Sequence, residues 1–226
     1  MLYCASALNG KPVQPVAVQM LAHQLLPSRS ERISAASFVD LVNENPVVLD
    51  ELREVCAILR ERTSLAPIQL AETPATWPLA LHGRYSRSEL LTAVGFANER
   101  VRPLSDGGCL PLEAQKIELL FVTLDKSEGF AEHVQYKDYA VSPTLFHWQT
   151  QNRAGPNNAT GRRYLESATN GWRFQLFVRE DRDAAYVVVG PVKLLSHEGD
   201  RPISITWQIQ APLSAELFRR FSVLRG

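Results

Sequence analysis

The chain has 226 residues, of which 45% are apolar and 21% are charged, and its 24 Lys and Arg residues balance its 24 Asp and Glu residues. This length allows one large domain or two small ones, each with a buried core. Zero net charge excludes strong nonspecific nucleic-acid binding driven by overall charge, so any nucleic-acid site must be a local basic patch.

The three cysteines, Cys4, Cys56 and Cys109, are far apart and form no Cys-x-x-Cys pair. This spacing indicates neither a zinc knuckle nor a disulfide framework, so we expect thiols in a reducing cytoplasm. The N-terminus has no charged lead, and no apolar run is long enough to span a membrane. We therefore expect a cytoplasmic protein that does not contact a membrane.

Residues 1–80 have helical periodicity and contain no good strand candidate. The spacing predicts helices over Pro15–Leu26, Ser37–Asn45 and Pro46–Thr63, the last of which begins with a proline at the favoured first-turn position. An apolar stripe follows one side of the third helix. The stripe consists of Val48, Leu52, Val55, Ile58 and Leu59. We expect residues 1–80 to form a helical segment that links or docks the chain to another module.

Residues 81–226 change from helical to strand patterning after one short helix, Ser86–Val94. Ser86 and Glu89 form a capping box at its start, and Gly95 is placed to end it. From residue 115 onward, apolar runs and strict alternation predict five or six strands, with a bend at Gly190-Pro191. Few helices separate these strands, which favours an α+β fold with a mostly antiparallel β-barrel.

The segment Tyr136–Asn152 contains four aromatic rings, a histidine, a carboxylate and three side-chain amides. Flat rings beside groups that donate and accept hydrogen bonds suit a nucleobase. In the predicted strand, Phe146 and Trp148 alternate with His147 and Gln149, so the two pairs project to opposite faces. The candidates for stacking are Tyr136, Tyr139 and Trp148, and those for the base edge are Asp138 and Gln149. The alternative is that the rings form core and Asp138 caps a turn.

A basic patch follows this segment. Residues 147–179 contain five basic residues and one acidic residue, a net charge of +4 in a neutral chain. We expect a helix at Thr160–Ala168, capped by Thr160, with Arg162 and Arg163 in its first turn. Arginines beside free backbone N–H groups suit a phosphate, whereas the alternative is a solvated loop whose arginines pair elsewhere.

The sequence His197-Glu198-Gly199-Asp200-Arg201-Pro202 combines metal-ligand residue types with turn residues. Its spacing does not match a helical zinc motif, so a turn between two strands is the simpler interpretation. In the functional interpretation, this segment is a hairpin loop whose His197 or Arg201 reaches a groove. No Gly-x-Ser-x-Gly, Walker or Rossmann pattern is present, so no cofactor is predicted.

Several long motifs carry a resemblance to a known family. They include Tyr136-Lys-Asp-Tyr-Ala-Val-Ser, Leu145-Phe-His-Trp-Gln-Thr-Gln-Asn, Thr160-Gly-Arg-Arg-Tyr, Leu176-Phe-Val-Arg-Glu and Ser196-His-Glu-Gly-Asp-Arg-Pro-Ile-Ser-Ile-Thr-Trp. Over about residues 80–210, the chain resembles the helicase-associated C-terminal domain of unknown function found after superfamily 2 helicase motors in bacterial defence proteins. Some members resemble type IV restriction enzymes with a phospholipase-D-type nuclease. The resemblance implies DNA binding and recognition of modified cytosine, as in SRA-like readers.

These observations lead to one main hypothesis. We expect a non-enzymatic, SRA- or PUA-like reader of phage-defence or restriction systems that flips a 5-methyl or 5-hydroxymethyl cytosine out of double-stranded DNA. Helicase and nuclease modules, in cis or in trans, would be its partners. The residues expected to hold phosphates are Arg153, Arg162, Arg163, Arg201 and His197.

Two alternatives come from other functional classes. A protein-interaction module that only docks a helicase or nuclease predicts an exposed apolar surface on residues 15–60. A small metal-dependent nuclease would use His147 or His197 with Asp138 and predicts cleavage by the purified chain.

Overall fold

Two units divide the chain, one from Met1 to Asp106 and one from Gly107 to Gly226. The computed structural model describes residues 15–26, 33–62, 68–97, 107–124, 138–151 and 154–222, without the side chains of Arg60 and Arg62. Tyr136 and Arg153, two of the predicted site residues, lie outside the described residues.

The first unit contains the predicted helices. They are α1 (Pro15–Leu25), α2 (Ala35–Asn43), α3 (Pro46–Arg62) and α4 (Arg87–Ala93), and a two-residue strand, β1 (Arg84–Tyr85), precedes α4. The four helices are confirmed to within two residues at each end. The capping box at α4 is also confirmed, because Ser86 Oγ accepts a hydrogen bond from the Glu89 backbone N–H and Glu89 accepts one from the Ser86 backbone N–H.

Helices α1 and α4 pack against each other and supply much of the buried surface of the first unit. Met20 on α1 and Leu90 and Leu91 on α4 have no accessible surface. A polar contact crosses the same packing, since His23 Nδ1 lies 2.7 Å from Thr92 Oγ1. Burial lowers the pKa of His23, so this hydrogen bond forms with a neutral imidazole near pH 7.

The second unit is built on one sheet. Its strands are β2 (Cys109–Leu112), β3 (Ile117–Thr123), β4 (Tyr139–Ser142), β5 (Leu145–Gln149), β6 (Arg173–Arg179), β7 (Tyr186–Glu198) and β8 (Ser204–Ile209). They are arranged in the order β2-β3-β6-β7-β8-β5-β4. Every neighbouring pair on this path is antiparallel except β3 and β6, which are parallel. The predicted α+β, mostly antiparallel fold is confirmed.

The predicted barrel is not formed, because the sheet is open within the described part of the chain. Its path ends at β2 on one side and at β4 on the other. Both end strands are poor partners for closure. Pro111 gives β2 a position without an N–H donor, and β4 is irregular between Ala140 and Ser142 and lies against the helix Ala215–Phe221.

One face of the sheet carries the main core of the second unit. Phe146 and Trp148 on β5 and Ile205 and Trp207 on β8 all point into it. Tyr164 covers this face, with its ring 5.3 Å from that of Trp148. The strand alternation predicted for β5 is confirmed, because the side chains of His147 and Gln149 are half-buried while those of their neighbours are buried.

The bend predicted at Gly190-Pro191 is present in β7. Gly190 adopts a φ of 99°, which side chains rarely tolerate. Beside it the pairing of β6 with β7 shifts, so that Leu176 faces Gly190 and Phe177 faces Val188. One extra residue, Val189, is thereby accommodated as a bulge.

Helix α5 begins differently from the prediction. It spans Ala159–Leu165, and its cap is Asn158, whose side-chain oxygen accepts a hydrogen bond of 2.9 Å from the Gly161 N–H. Asn158 lies two residues before Thr160, the predicted cap. Arg162 and Arg163 consequently lie in the last turn, where cations complement the helix dipole, and not in the first turn beside free N–H groups.

The approach of α5 to the preceding loop requires a glycine. A Cβ atom added to Gly161 would lie 1.9 Å from the Gly155 carbonyl oxygen, which is a backbone atom that cannot rotate away. We expect Gly161→Ala to lower the free energy of unfolding by about 2–3 kcal/mol, measured by urea denaturation.

Gly155→Ala is the matched control. Its Cβ would lie 2.8 Å from Arg201 Nε, at the end of a flexible side chain, so the cost should stay below about 1 kcal/mol. Equal destabilisation by the two variants would contradict the packing described for α5.

Candidate nucleic-acid interface

The second face of β5 and β8 carries polar side chains that reach solvent. The strand register places Tyr139, His147, Thr206 and Ser196 in one row across β4, β5, β8 and β7. The next row contains Gln149, Ser204 and Glu198. All seven side chains are half-buried or exposed. We call these seven residues the polar sheet face.

An aromatic stack lies on this face at the edge of the sheet. The rings of Tyr139 and His147 are 5.2 Å apart between centroids and inclined by 23°. Their strands pair them directly, and both rings are half-buried. A pair of partly exposed planar rings provides a platform on which a further planar group can stack.

Gln149 lies one row from this stack and is held in place from two sides. Its backbone N–H donates to Asp138 Oδ1 at 3.0 Å, and its side-chain Nε2 donates to Ser204 Oγ at 3.2 Å. Asp138 is itself buried. The carboxylate of Asp138 therefore anchors the start of β4 to the end of β5, as in the turn-capping alternative, and Gln149 is the member of this pair at the surface.

Trp148 does not reach the polar sheet face. Its side chain is only 4% exposed and packs on the core face against Tyr164 and Trp207. No side of the indole is open to a stacked base in this structure, so we do not retain Trp148 as a stacking candidate. Trp148 points into the core because adjacent residues of a strand point to opposite faces, and its neighbours His147 and Gln149 point to the polar sheet face.

Arg163 forms contacts within the protein. Its guanidinium donates to Glu118 Oε2 at 3.0 Å and to Glu113 Oε1 at 3.1 Å, and it lies over the Trp172 ring at 4.3 Å from the centroid. A phosphate would have to displace two carboxylates to bind this group. For Arg163, the alternative interpretation of the basic patch is therefore correct, because this arginine pairs with carboxylates of the protein.

Three of the predicted phosphate-binding residues are exposed. They are Arg162 on α5, His197 near the end of β7 and Arg201 in the turn between β7 and β8. Arg201 lies directly over Gly155, the residue against which α5 packs. These three side chains belong to the core side of the sheet, because His197 alternates with the polar-face residues and α5 covers the core face.

The base-facing and phosphate-facing residues thus lie on opposite faces but converge at one end of the sheet. Gln149, Ser204 and Glu198 form the last row before the β7–β8 turn that carries Arg201. The turn is fixed there, because the Thr150 N–H donates to the Ile203 carbonyl and the Ile203 N–H donates to Thr150 Oγ1. A ligand could contact both sets only by crossing this end of the sheet.

The described residues contain no candidate metal site. No group of three or more His, Cys, Asp or Glu side chains is placed there to hold a metal ion. His147 and His197, the histidines of the nuclease alternative, project from opposite faces of the sheet.

The cysteines differ from the expectation of three thiols. Cys109 is a half-buried thiol that forms no disulfide, whereas Cys56 is disulfide-bonded. Within the helices that the structure describes, none combines the length and apolarity that crossing a bilayer requires.

Residues 79–221 match the family model described as a domain of unknown function, DUF3427. The chain belongs to this family. No match was found among curated proteins. The DUF3427 match begins beside the predicted boundary between residues 80 and 81, whereas the structure divides between Asp106 and Gly107. The DUF3427 region therefore contains the whole sheet together with β1 and α4 of the first unit.

The DUF3427 region also contains a buried glutamate that sequence reasoning missed. Glu118 is the second residue of β3 and has 1% of its side chain exposed, and its carboxylate accepts hydrogen bonds from Tyr164 Oη at 2.8 Å and from Arg163. The sequence does contain a sign of this buried acid, because a single glutamate interrupts the apolar run Ile117–Leu124. A buried carboxylate requires partners, and those partners fix the orientation of α5.

Burial raises the pKa of the Glu118 carboxyl, although the hydrogen bonds from Tyr164 and Arg163 oppose this shift. The folded protein therefore binds the proton more tightly than the unfolded chain does. Its free energy of unfolding should fall as the pH rises from the ordinary glutamate pKa through the raised pKa of Glu118. We expect Glu118→Gln, which cannot ionise, to remove this fall, as measured by urea denaturation at a series of pH values.

Glu113→Gln is the matched control for that series. It removes the exposed carboxylate that shares Arg163 with Glu118, and it should retain the fall. A Glu118→Gln variant whose pH dependence equals that of the unmodified chain would contradict this account.

Proposed function

We propose that this chain is the DNA-reading domain of a bacterial restriction or phage-defence system, and that it recognises 5-methyl or 5-hydroxymethyl cytosine. The observation that carries the proposal is the Tyr139–His147 stack beside Gln149 on the polar sheet face. The sequence resemblance to helicase-associated domains of defence proteins supplies the choice of DNA and of modified cytosine.

In this proposal, a flipped base stacks on the outer side of the Tyr139 ring. Stacking of one base on an aromatic side chain contributes about 1–3 kcal/mol, which offsets much of the few kcal/mol that flipping costs. Tyr139 is the suitable ring because it lies on the edge strand β4, where a ligand can approach from the side of the sheet.

Gln149 supplies hydrogen bonds to the edge of the base. A side-chain amide presents one acceptor and two donors, which complement the exocyclic amine and the ring acceptors of cytosine. The Gln149 amide already donates to Ser204, so binding would exchange or share that hydrogen bond. Asp138 acts indirectly, because it holds the backbone of Gln149.

Arg201, Arg162 and His197 contact the phosphates on either side of the flipped nucleotide. Exposed cations at the end of the sheet allow the DNA backbone to pass from the polar sheet face towards α5 over the β7–β8 turn. These contacts supply the part of the affinity that weakens as salt rises. The open sheet would serve the role that a closed SRA- or PUA-like barrel serves in related readers.

Cleavage belongs to other modules in this proposal. The reader itself requires no cofactor and catalyses no reaction, and a helicase and a nuclease act with it in cis or in trans. The DUF3427 region then only recognises the modified base, and its binding marks that position on the DNA for the other modules.

The base contact is tested by gel-shift titration of the full chain with otherwise identical duplexes containing plain, 5-methyl or 5-hydroxymethyl cytosine. We expect tighter binding to at least one modified duplex. Tyr139→Ala should weaken that binding by about 5- to 150-fold, which corresponds to the loss of one stacking contact. Equal affinity of the chain for all three duplexes would overturn the proposed recognition.

Val141→Ala is the control for the Tyr139 variant, because Val141 is an exposed residue of the same edge strand. It should leave the affinity unchanged. Tyr139→Phe, which keeps the ring, should retain most of the affinity lost in Tyr139→Ala.

The phosphate contacts are tested by the salt dependence of the same titration. Arg201→Ala and Arg162→Ala should each weaken binding to all duplexes and reduce the slope of log Kd against log salt by about 1. Arg53→Ala removes an exposed arginine of α3 and should leave the slope unchanged. Unchanged slopes in both Arg201→Ala and Arg162→Ala would remove these residues from the interface.

A further inference from the structure

A network of hydrogen bonds joins three segments of the first unit around His23. Gln19 Nε2 on α1 lies 2.7 Å from the Ile33 carbonyl oxygen and 3.1 Å from His23 Nε2. On the other side of the imidazole, His23 Nδ1 lies 2.7 Å from Thr92 Oγ1 on α4. Gln19 is only 8% exposed and Thr92 has no accessible surface. The network therefore connects α1 both to α4 and to the residue before Ser34, the N-cap of α2.

The polar atoms of this network fit one assignment of protons. Thr92 Oγ1 has a single proton, which it donates to the Ser88 carbonyl oxygen at 2.8 Å. It must therefore accept a hydrogen bond from His23, so the imidazole carries its proton on Nδ1. His23 Nε2 then accepts from one N–H of Gln19, and the second N–H of Gln19 donates to Ile33. Each donor faces an acceptor while His23 is neutral.

A second proton on His23 would disrupt one side of the network and leave the other intact. The protonated Nε2 becomes a donor and faces the donor Nε2 of Gln19 at 3.1 Å. Rotation of the Gln19 amide does not remove this conflict, because the amide oxygen would then face the Ile33 carbonyl oxygen. The hydrogen bond from Nδ1 to Thr92 is available in both states of the imidazole. Protonation therefore acts on the contact with Ile33.

The protonation of His23 is controlled by its burial. Among the described residues, the charged side chains on the helices that pack against α1 are Asp40 on α2 and Arg87 and Glu89 on α4. Burial, and none of these charges, lowers the pKa of His23. The contribution of the network to stability is therefore complete above the ordinary histidine pKa of 6.5. It decreases as the pH falls from there through the lowered pKa of His23.

We propose that His23 is a pH-sensitive switch, which holds the start of α2 on α1 when the imidazole is neutral and releases it when the imidazole is protonated. The contact that opens is the hydrogen bond from Gln19 to Ile33. Helix α4 stays attached to α1 through Thr92 in both states. This switch belongs to the helical unit and does not depend on the proposed reading of DNA.

Amide hydrogen exchange of the full chain, measured by NMR and corrected for intrinsic rates, tests the release from about pH 7.5 to about pH 5. The reporters are the Ser37 and Phe38 amides, which donate to Ser34 beside Ile33. Their protection should fall by about 2- to 10-fold, as expected for the loss of one hydrogen bond. The protection of the Val94 amide at the end of α4 should not change.

Three variants separate the switch from a general effect of acid. His23→Asn cannot titrate but can still donate to Thr92, so its exchange should not depend on pH. Gln19→Glu should lose the protection already at neutral pH, because a carboxylate cannot donate to the Ile33 carbonyl, and it should raise the pKa of His23. Gln24→Glu places the same charge at an exposed position of α1 and should retain the fall. Circular dichroism establishes that each variant is folded.

The protonation state has its own test by NMR of ¹⁵N-labelled imidazoles, with His23→Asn identifying the signal. At about pH 7.5, His23 should be neutral with its proton on Nδ1, and it should gain the second proton only below the ordinary histidine pKa. A proton on Nε2 in the neutral form would contradict the network.

Three results of the exchange measurements would overturn the switch. The first is protection of Ser37 and Phe38 that does not change with pH in the unmodified chain. The second is an equal fall in a folded His23→Asn variant. The third is a parallel fall at Val94, which would indicate that acid loosens the whole helical unit.

Discussion

Trp207 faces Phe146 in the pairing of β5 with β8, and both rings are fully buried. This contact fixes which side of each strand enters the core. A strand that buries Phe146 and Trp148 must present His147 and Gln149 on the other side, and β8 likewise presents Ser204 and Thr206. A slip of one residue in this register would bury the polar set and expose the indoles. The polar sheet face is therefore a consequence of how the core is packed.

The core contact also determines where the cations lie. Tyr164 packs on Trp148 and Trp207, which draws α5 onto the core face, and the buried Glu118 then holds both Tyr164 and Arg163. Arg163 is thus part of the scaffold, and the neighbouring Arg162 remains at the surface. The proposed reader accordingly uses two faces of one sheet that meet at the β7–β8 turn, with stacking on one side and phosphate contacts on the other.

Local patterns in the sequence predicted the parts of this arrangement that depend on neighbouring residues. Alternation identified the two faces of β5, and the Ser86–Glu89 spacing identified the cap of α4. Two of the errors concern contacts between distant residues. Nothing near Arg163 in sequence indicates Glu118, and an open sheet differs from a barrel only in whether its end strands meet. The third error is local, because Asn158 and Thr160 are both favoured cap residues two positions apart, and Asn158 is the one whose side chain accepts the hydrogen bond from the Gly161 N–H.

The central claim is that the exposed side of β5 meets the base. Solution NMR of the chain with side-chain amides and aromatic rings labelled tests it most directly, by titration with a duplex that contains a single modified cytosine. We expect chemical-shift changes at the Tyr139 and His147 rings and at the Gln149 side-chain amide, with smaller changes at the buried Trp207 indole. Changes that are strongest in the helices of the first unit, with none at Tyr139, His147 or Gln149, would contradict it.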